Sequence, residues 1–133
     1  MNKEYWTNYR IYYEDTDAGG VVYYANYLKF FERARTELLR QVGIFQSDLI
    51  KESNLIFVVT NCEIAFKKVA KLDDLVCIKT IITKIGKASI EMFQEMFLGE
   101  ELLNILEVKI ASVDSVTKKP KKIPNSIINK IHV

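Results

Sequence analysis

The sequence predicts an α+β domain in which a five-stranded, curved antiparallel sheet wraps around one long central helix. Three observations carry that expectation. Only one stretch of the 133 residues has the apolar period of a long helix. From residue 56 onward the chain runs through four segments rich in β-branched and aromatic residues. Glycine-containing turns of about two residues, Gly86-Lys87 and Gly99-Glu100, join three of those segments, and such turns make antiparallel neighbours. A sheet has one apolar face to bury, and the single helix is the only element long enough to cover it.

In chain order, residues 8–13 (NYRIYY) read as the first strand, being aromatic and β-branched. Residues 14–20 form a turn-rich acidic loop. From about residue 25 to 42 the period changes: Tyr27, Phe31, Ala34, Leu38 and Val42 follow steps of three and four. Leu28, Phe30 and Leu39 widen that stripe, and Gly43 stops the helix. A short helical turn is expected over 47–52, with Ser47 or Asp48 as its cap. Strands follow over 56–66, 75–85, 89–98 and 102–114, the first two separated by the polar turn Lys71-Leu72-Asp73-Asp74. The tail from residue 117 is basic, carries both prolines, and is expected to end in a short surface helix.

The length suits one domain spanning residues 1–133. Apolar residues at 49% and charged residues at 27% exclude a disordered chain. Lys+Arg minus Asp+Glu is 19 − 17 = +2, too weak an excess to argue for nucleic acid. No apolar run approaches the roughly 20 residues of a membrane span, and the polar N-terminus is no signal peptide, so a cytoplasmic protein is expected. Cys62 and Cys77 sit in apolar runs and read as buried free thiols. No Cys/His spacing suggests a metal site.

The chemistry concentrates between Tyr13 and the helix. Glu14, Asp15 and Asp17 precede Gly19-Gly20, which precede the helix start. A helix start presents N–H groups without partners and partial positive charge, suited to a developing oxyanion. Glycines let a substrate approach the backbone, and Asp17 can act as nucleophile or as general base for water. The same residues also fit a plain structural role, with the acids as caps and the glycines as a turn. Tyr13 either orients Asp17 or lines a pocket, or is a core or interface aromatic. Glu32 and Glu37 have Arg33, Arg35 and Arg40 at helical spacing, which suits ion pairs better than catalysis. The one histidine, His132, lies next to the C-terminus, which argues against a Ser-His-Asp or Cys-His hydrolase and leaves carboxylate chemistry. Lys84 and Lys87 form one basic cluster, and Lys118, Lys119, Lys121 and Lys122 another; both suit phosphates or a solvated rim.

The segment with Asp15, Asp17, Gly19, Gly20, Val21, Val22, Tyr24, Asn26 and Tyr27, followed by Glu32-Arg33-Ala34-Arg35-Thr36-Glu37, resembles the signature of the hotdog-fold 4-hydroxybenzoyl-CoA thioesterase family. More narrowly it resembles the YbgC-type acyl-CoA thioesterases. The likeness continues through Phe57-Val58-Val59, Leu72-Asp73-Asp74-Leu75, the run from Lys84 to Ser89, and Val113-Asp114. It implies a hotdog fold, hydrolysis of acyl-CoA thioesters with no cofactor (coenzyme A being part of the substrate), Asp17 as the catalytic carboxylate, and the Tyr24 N–H as the donor to the thioester carbonyl. It also implies substrate or coenzyme A contacts at Tyr13, Gly20, Val59, Lys84, Gly86, Lys87, Ser89 and Lys118, and a homodimer or homotetramer with the site at the subunit interface. Many YbgC-type members have His where this chain has Tyr24; a backbone donor survives that exchange, an imidazole proton relay does not. A second expectation of another class is a non-catalytic module that docks acyl carrier protein or an envelope-lipid enzyme through its lysines.

Overall fold

A computed structural model describes residues 2–131. His132 falls outside the described residues. In chain order the elements are β1 (Tyr5–Arg10), two 3-10 turns (Tyr13–Asp15 and Tyr24–Asn26), α1 (Tyr27–Gln41), α2 (Gln46–Ser53), β2 (Leu55–Phe66), β3 (Leu75–Ile85), β4 (Ser89–Leu98), β5 (Glu101–Asp114) and α3 (Asn125–Ile128). The strands form one five-stranded sheet in the order β1-β3-β4-β5-β2, and every neighbouring pair is antiparallel. The expected α+β layout and the single long helix are both present.

The core follows from two periods meeting. Ile78 and Ile82 on β3, Ile90, Met92 and Met96 on β4, and Leu106, Val108 and Ile110 on β5 alternate along their strands and face inward. Tyr27, Phe30, Phe31, Ala34, Leu38 and Leu39 on α1 meet them. Burying a side chain such as Phe31 or Leu38 contributes about 1.5–3 kcal/mol. Register shifts at Val59/Asn61, Ile82/Lys84 and Met96/Phe97 interrupt three ladders, and bulges of this kind bend strands around the helix.

Several expectations needed correction. β1 lies three residues earlier than residues 8–13, because its ladder is set by β3: Arg10 pairs with Leu75, where β3 begins. Tyr13 therefore belongs to a 3-10 turn and not to a strand. The short helix begins at Gln46, preceded by Phe45 with no side-chain cap; Asp48 sits in its first turn instead. Leu28 is exposed and stands outside the buried stripe. Neither cysteine is buried: both are free, Cys62 is exposed and Cys77 half-buried. Cys62 lies in the exposed run of β2, an edge strand whose outer side has no partner strand among the described residues.

The tail does more than cover the surface. Ile123, Ile127 and Ile131, spaced by four, are all buried in the core. The Ile123 N–H donates to the Lys87 carbonyl at 2.8 Å, so the tail is stitched across the β3–β4 hairpin.

Candidate active site

Gly20 sits at φ 80°, a conformation that favours glycine, and its N–H closes a turn on the Asp17 carbonyl at 3.0 Å. Asp17 Oδ1 accepts the Gly19 N–H at 2.8 Å, an Asx-type turn. A Cβ on Gly19 would stand 3.2 Å from that same oxygen, so glycine there lets the carboxylate sit close to the backbone. Oδ2 of the exposed Asp17 has no protein partner among the described residues.

The structure sorts the three acids. Asp15 is a cap: its Oδ2 accepts the Tyr12 N–H at 2.8 Å and holds the first 3-10 turn. Glu14 is exposed, with no hydrogen bond or ion pair among the described residues. Asp17 uses one oxygen to shape its turn and keeps the other free.

The loop is then sewn to the helix start. Asp17 N–H donates to the Val21 carbonyl (2.9 Å), and Thr16 bridges Val22. The Asp15 carbonyl accepts both the Tyr23 N–H (3.1 Å) and Asn26 Nδ2 (3.0 Å). Ala70 completes the joint by donating its N–H to the Tyr27 hydroxyl (3.0 Å) while its carbonyl accepts from Val22. Burial of Tyr27 holds its hydroxyl above the usual phenol pKa range. Asn26 and Tyr27 thus position the helix start; as a polar residue and a core aromatic they carry no sequence signal of that task beyond the family likeness.

Tyr24 opens the second 3-10 turn, immediately ahead of α1. Its N–H has no hydrogen-bond partner among the described residues, as expected at a helix start. The helical path therefore begins at Tyr24 in 3-10 form and becomes α-helical at Tyr27, two residues later than the expected 25. The Tyr24 ring packs at 5.0 Å from the Tyr23 ring and edge-on to Phe66 at 6.3 Å. Tyr13 is 84% exposed, and no hydrogen bond joins its side chain to Asp17.

The remaining expected site residues lie elsewhere. Asp17, Gly20, Tyr24 and Tyr13 gather at the end of the sheet marked by Arg10 and Phe66. Lys84, Gly86, Lys87, Ser89 and Lys118 gather at the opposite end, marked by Ile85 and Asp114. β2 spans 12 residues, so the two ends are separated by roughly 35 Å of strand at about 3.3 Å per residue. Val59 lies between them on the free edge, 52% exposed. Gly86 is shaped by its hairpin: Ser89 Oγ would stand 2.7 Å from a Cβ there. Lys118 sits at φ 64° and donates Nζ to its own loop at Ser115 O, 2.6 Å. The expected helix ion pairs are only partly formed. Arg40 meets Glu37 at 3.7 Å, but Arg35 turns inward to Gln94 and pairs with no acid within 4 Å among the described residues.

No cluster of His, Cys, Asp and Glu among the described residues could hold a metal ion. No helix among them is long and apolar enough to cross a membrane.

Known proteins share this layout. The family model of the thioesterase-like superfamily matches residues 12–131. The acyl-CoA thioesterase YbgC of Haemophilus influenzae is 44% identical over 123 residues, covering 92% of this chain and 90% of its own. The acyl-CoA thioester hydrolase YbgC of Escherichia coli is 44% identical over 120 residues, covering 90% and 89%. Among solved structures, a probable thioesterase from Bartonella henselae superposes with a TM-score of 0.86 at 38% identity, covering 93% of this chain and 100% of its own. The resemblance read from the sequence and the hotdog architecture are borne out, and the chain belongs to the thioesterase-like superfamily and, within it, to the YbgC-type proteins.

Proposed function

We propose that this protein is an acyl-CoA thioesterase: acyl-S-CoA and water give a carboxylic acid and free coenzyme A. The observation that carries the reading is the pairing of a carboxylate oxygen without a protein partner, Asp17 Oδ2, with a helix start whose Tyr24 N–H has none either. The family membership supports it.

The thioester carbonyl oxygen accepts the Tyr24 N–H, and the partial positive charge of the helix start stabilises the oxyanion. Asp17 Oδ2 either attacks the thioester carbon or takes a proton from the attacking water. The thiolate leaves. With a thiol pKa of about 8.5 it needs little protonation, which fits a site built without an imidazole. In the nucleophilic route water then hydrolyses the mixed anhydride on Asp17; in a single turnover in heavy-oxygen water, attack at the aspartyl carbonyl labels the Asp17 carboxylate and attack at the acyl carbonyl labels the product acid. In the base route only the product acid carries the label.

The site is completed, in this reading, by a second copy. β2 offers a free edge with Val58 and Val59 exposed, an invitation to strand pairing. Antiparallel pairing of two β2 edges about a two-fold axis brings the Phe66 end of one chain to the Leu55 end of its partner. The partner's hairpin and tail lysines then lie beside the Asp17 loop, where coenzyme A phosphates need cations.

Asp17→Asn is the test. Thiol release from a panel of acyl-CoAs is expected to fall by 100-fold or more, with the melting temperature held. Activity within a few-fold of wild type overturns the mechanism. A monomer in light scattering at micromolar concentration overturns the shared site.

A further inference from the structure

Arg35 is an unusual helix residue here. It is half-buried and leans under the sheet, where its Nη1 donates to Gln94 Oε1 at 2.9 Å. Gln94 is fully buried and itself locked: its Nε2 donates to the Phe31 carbonyl and to Thr80 Oγ1, both at 3.0 Å. The amide is thus fixed with its oxygen toward the guanidinium. Arg35 has five N–H donors, and Gln94 is the one hydrogen-bond acceptor it meets among the described residues. Burial pulls its pKa below the usual arginine range. Glu32 lines the same space and its charge acts on the guanidinium, but it lies beyond 4 Å, is exposed, and its Oε1 accepts the Thr36 hydroxyl at 3.1 Å.

A cavity of about 90 Å³ opens against this guanidinium. Leu39, Phe57, Val59, Met92 and Ile110 give it apolar walls, and Thr36, Gln46 and Glu32 a polar rim. At about 30 Å³ per water-sized group, it holds about three such groups, the carbon and two oxygens of a carboxylate. Val59, one of its lining residues, is 52% exposed on the free β2 edge. The two-fold pairing argued above brings the partner's Asp17 loop to the Leu55 end of β2, along the strand from Val59. The inference rests on that reading.

We propose that Arg35 determines acyl specificity: the cavity takes the far end of a short acyl chain, and the guanidinium binds a carboxylate carried there. The substrate class is a short dicarboxylic acid bound to coenzyme A through one of its two carboxyl groups. Gln94 is the positioning residue, holding the guanidinium toward the cavity. An unpaired, partly buried cation is costly in the empty site, and a carboxylate removes that cost through a charge-assisted, two-point hydrogen bond.

The test uses the full chain and two inert thioethers, S-(3-carboxypropyl)-coenzyme A and S-butyl-coenzyme A, titrated by calorimetry. A hydrogen bond to a charged group corresponds to a preference of about 10- to 100-fold for the carboxylated probe in wild type. Arg35→Met is expected to abolish or reverse it, Arg35→Lys to keep part of it. Gln94→Met is expected to reduce the ratio of the two affinities. No preference in wild type overturns the proposal, and so does a preference that Arg35→Met leaves intact. If Arg35→Met fails to fold, the wild-type and Arg35→Lys titrations decide alone. Hydrolysis of butyryl-CoA by the same preparation reports on the thioesterase reading separately, because the thioethers need no turnover.

Discussion

Replacing Tyr24 by proline removes one atom pair from the site, the N–H, at a position where the fold tolerates it. Tyr23 has φ −61° and ψ 128°, the extended region to which a residue before proline is confined. Tyr24 is the first residue of a helical turn, where proline's fixed φ fits and its missing donor breaks no bond. The Tyr24 N–H has no partner among the described residues, so the folded chain loses no hydrogen bond. The ring contacts with Tyr23 and Phe66 are lost, at about 0.5–1.5 kcal/mol each, and Tyr24→Ala loses them equally. The difference between the two variants therefore isolates the donor. An oxyanion donor contributes about 2.7–4 kcal/mol, so kcat of Tyr24→Pro is expected to fall about 100- to 1000-fold below that of Tyr24→Ala. Tyr24→Phe, which keeps both ring and N–H, is expected to stay near wild type. Thiol release at saturating butyryl-CoA gives kcat, and a melting curve confirms that each variant is folded. A folded proline variant within a few-fold of the alanine variant refutes the oxyanion role.

The two glycines of the loop should fail in different ways. Gly20→Ala puts a side chain at φ 80° and costs about 1 kcal/mol, a melting shift of roughly 3–5 °C. Gly19→Ala pushes only on Asp17 Oδ1, 3.2 Å from the new Cβ, and is expected to lower kcat several-fold with little change in melting; the reverse pattern in the two assays contradicts the geometry. Asp114 accepts the Thr117 and Val116 N–H groups with one oxygen, and these bonds hold its carboxyl below the ordinary aspartate pKa. A depressed folded pKa stabilises above the unfolded value and is lost as pH falls through the folded one. The urea-midpoint gap between wild type and Asp114→Ala should accordingly be full at pH 6 and narrow below about pH 4; a gap independent of pH argues against this cap.

The sequence by itself determined the α+β layout, the span of α1 and the two glycine hairpins, because those features are local. A 3.6-residue stripe, a two-residue turn and a breaker such as Gly43, at φ 83°, leave the chain little choice. The acidic loop was legible as a place for chemistry, but the residues alone also fitted a capping role, and the family resemblance singled out Asp17. Only the tertiary structure separated the acids: Asp15 is committed to the Tyr12 N–H, while Asp17 keeps a free oxygen. Spacing along α1 suggested ion pairs for its arginines, yet Arg35 turns inward to a glutamine 59 residues away, a contact no local pattern records. The exposure of Cys62 came from β2's place at the sheet edge, and strand order is decided by which faces can be buried together. The start of β1 was set by its ladder with β3. The two groups of expected site residues also proved to lie at opposite ends of one sheet, because antiparallel strands send successive loops to alternate ends, and the sequence lists those loops without saying which ones meet.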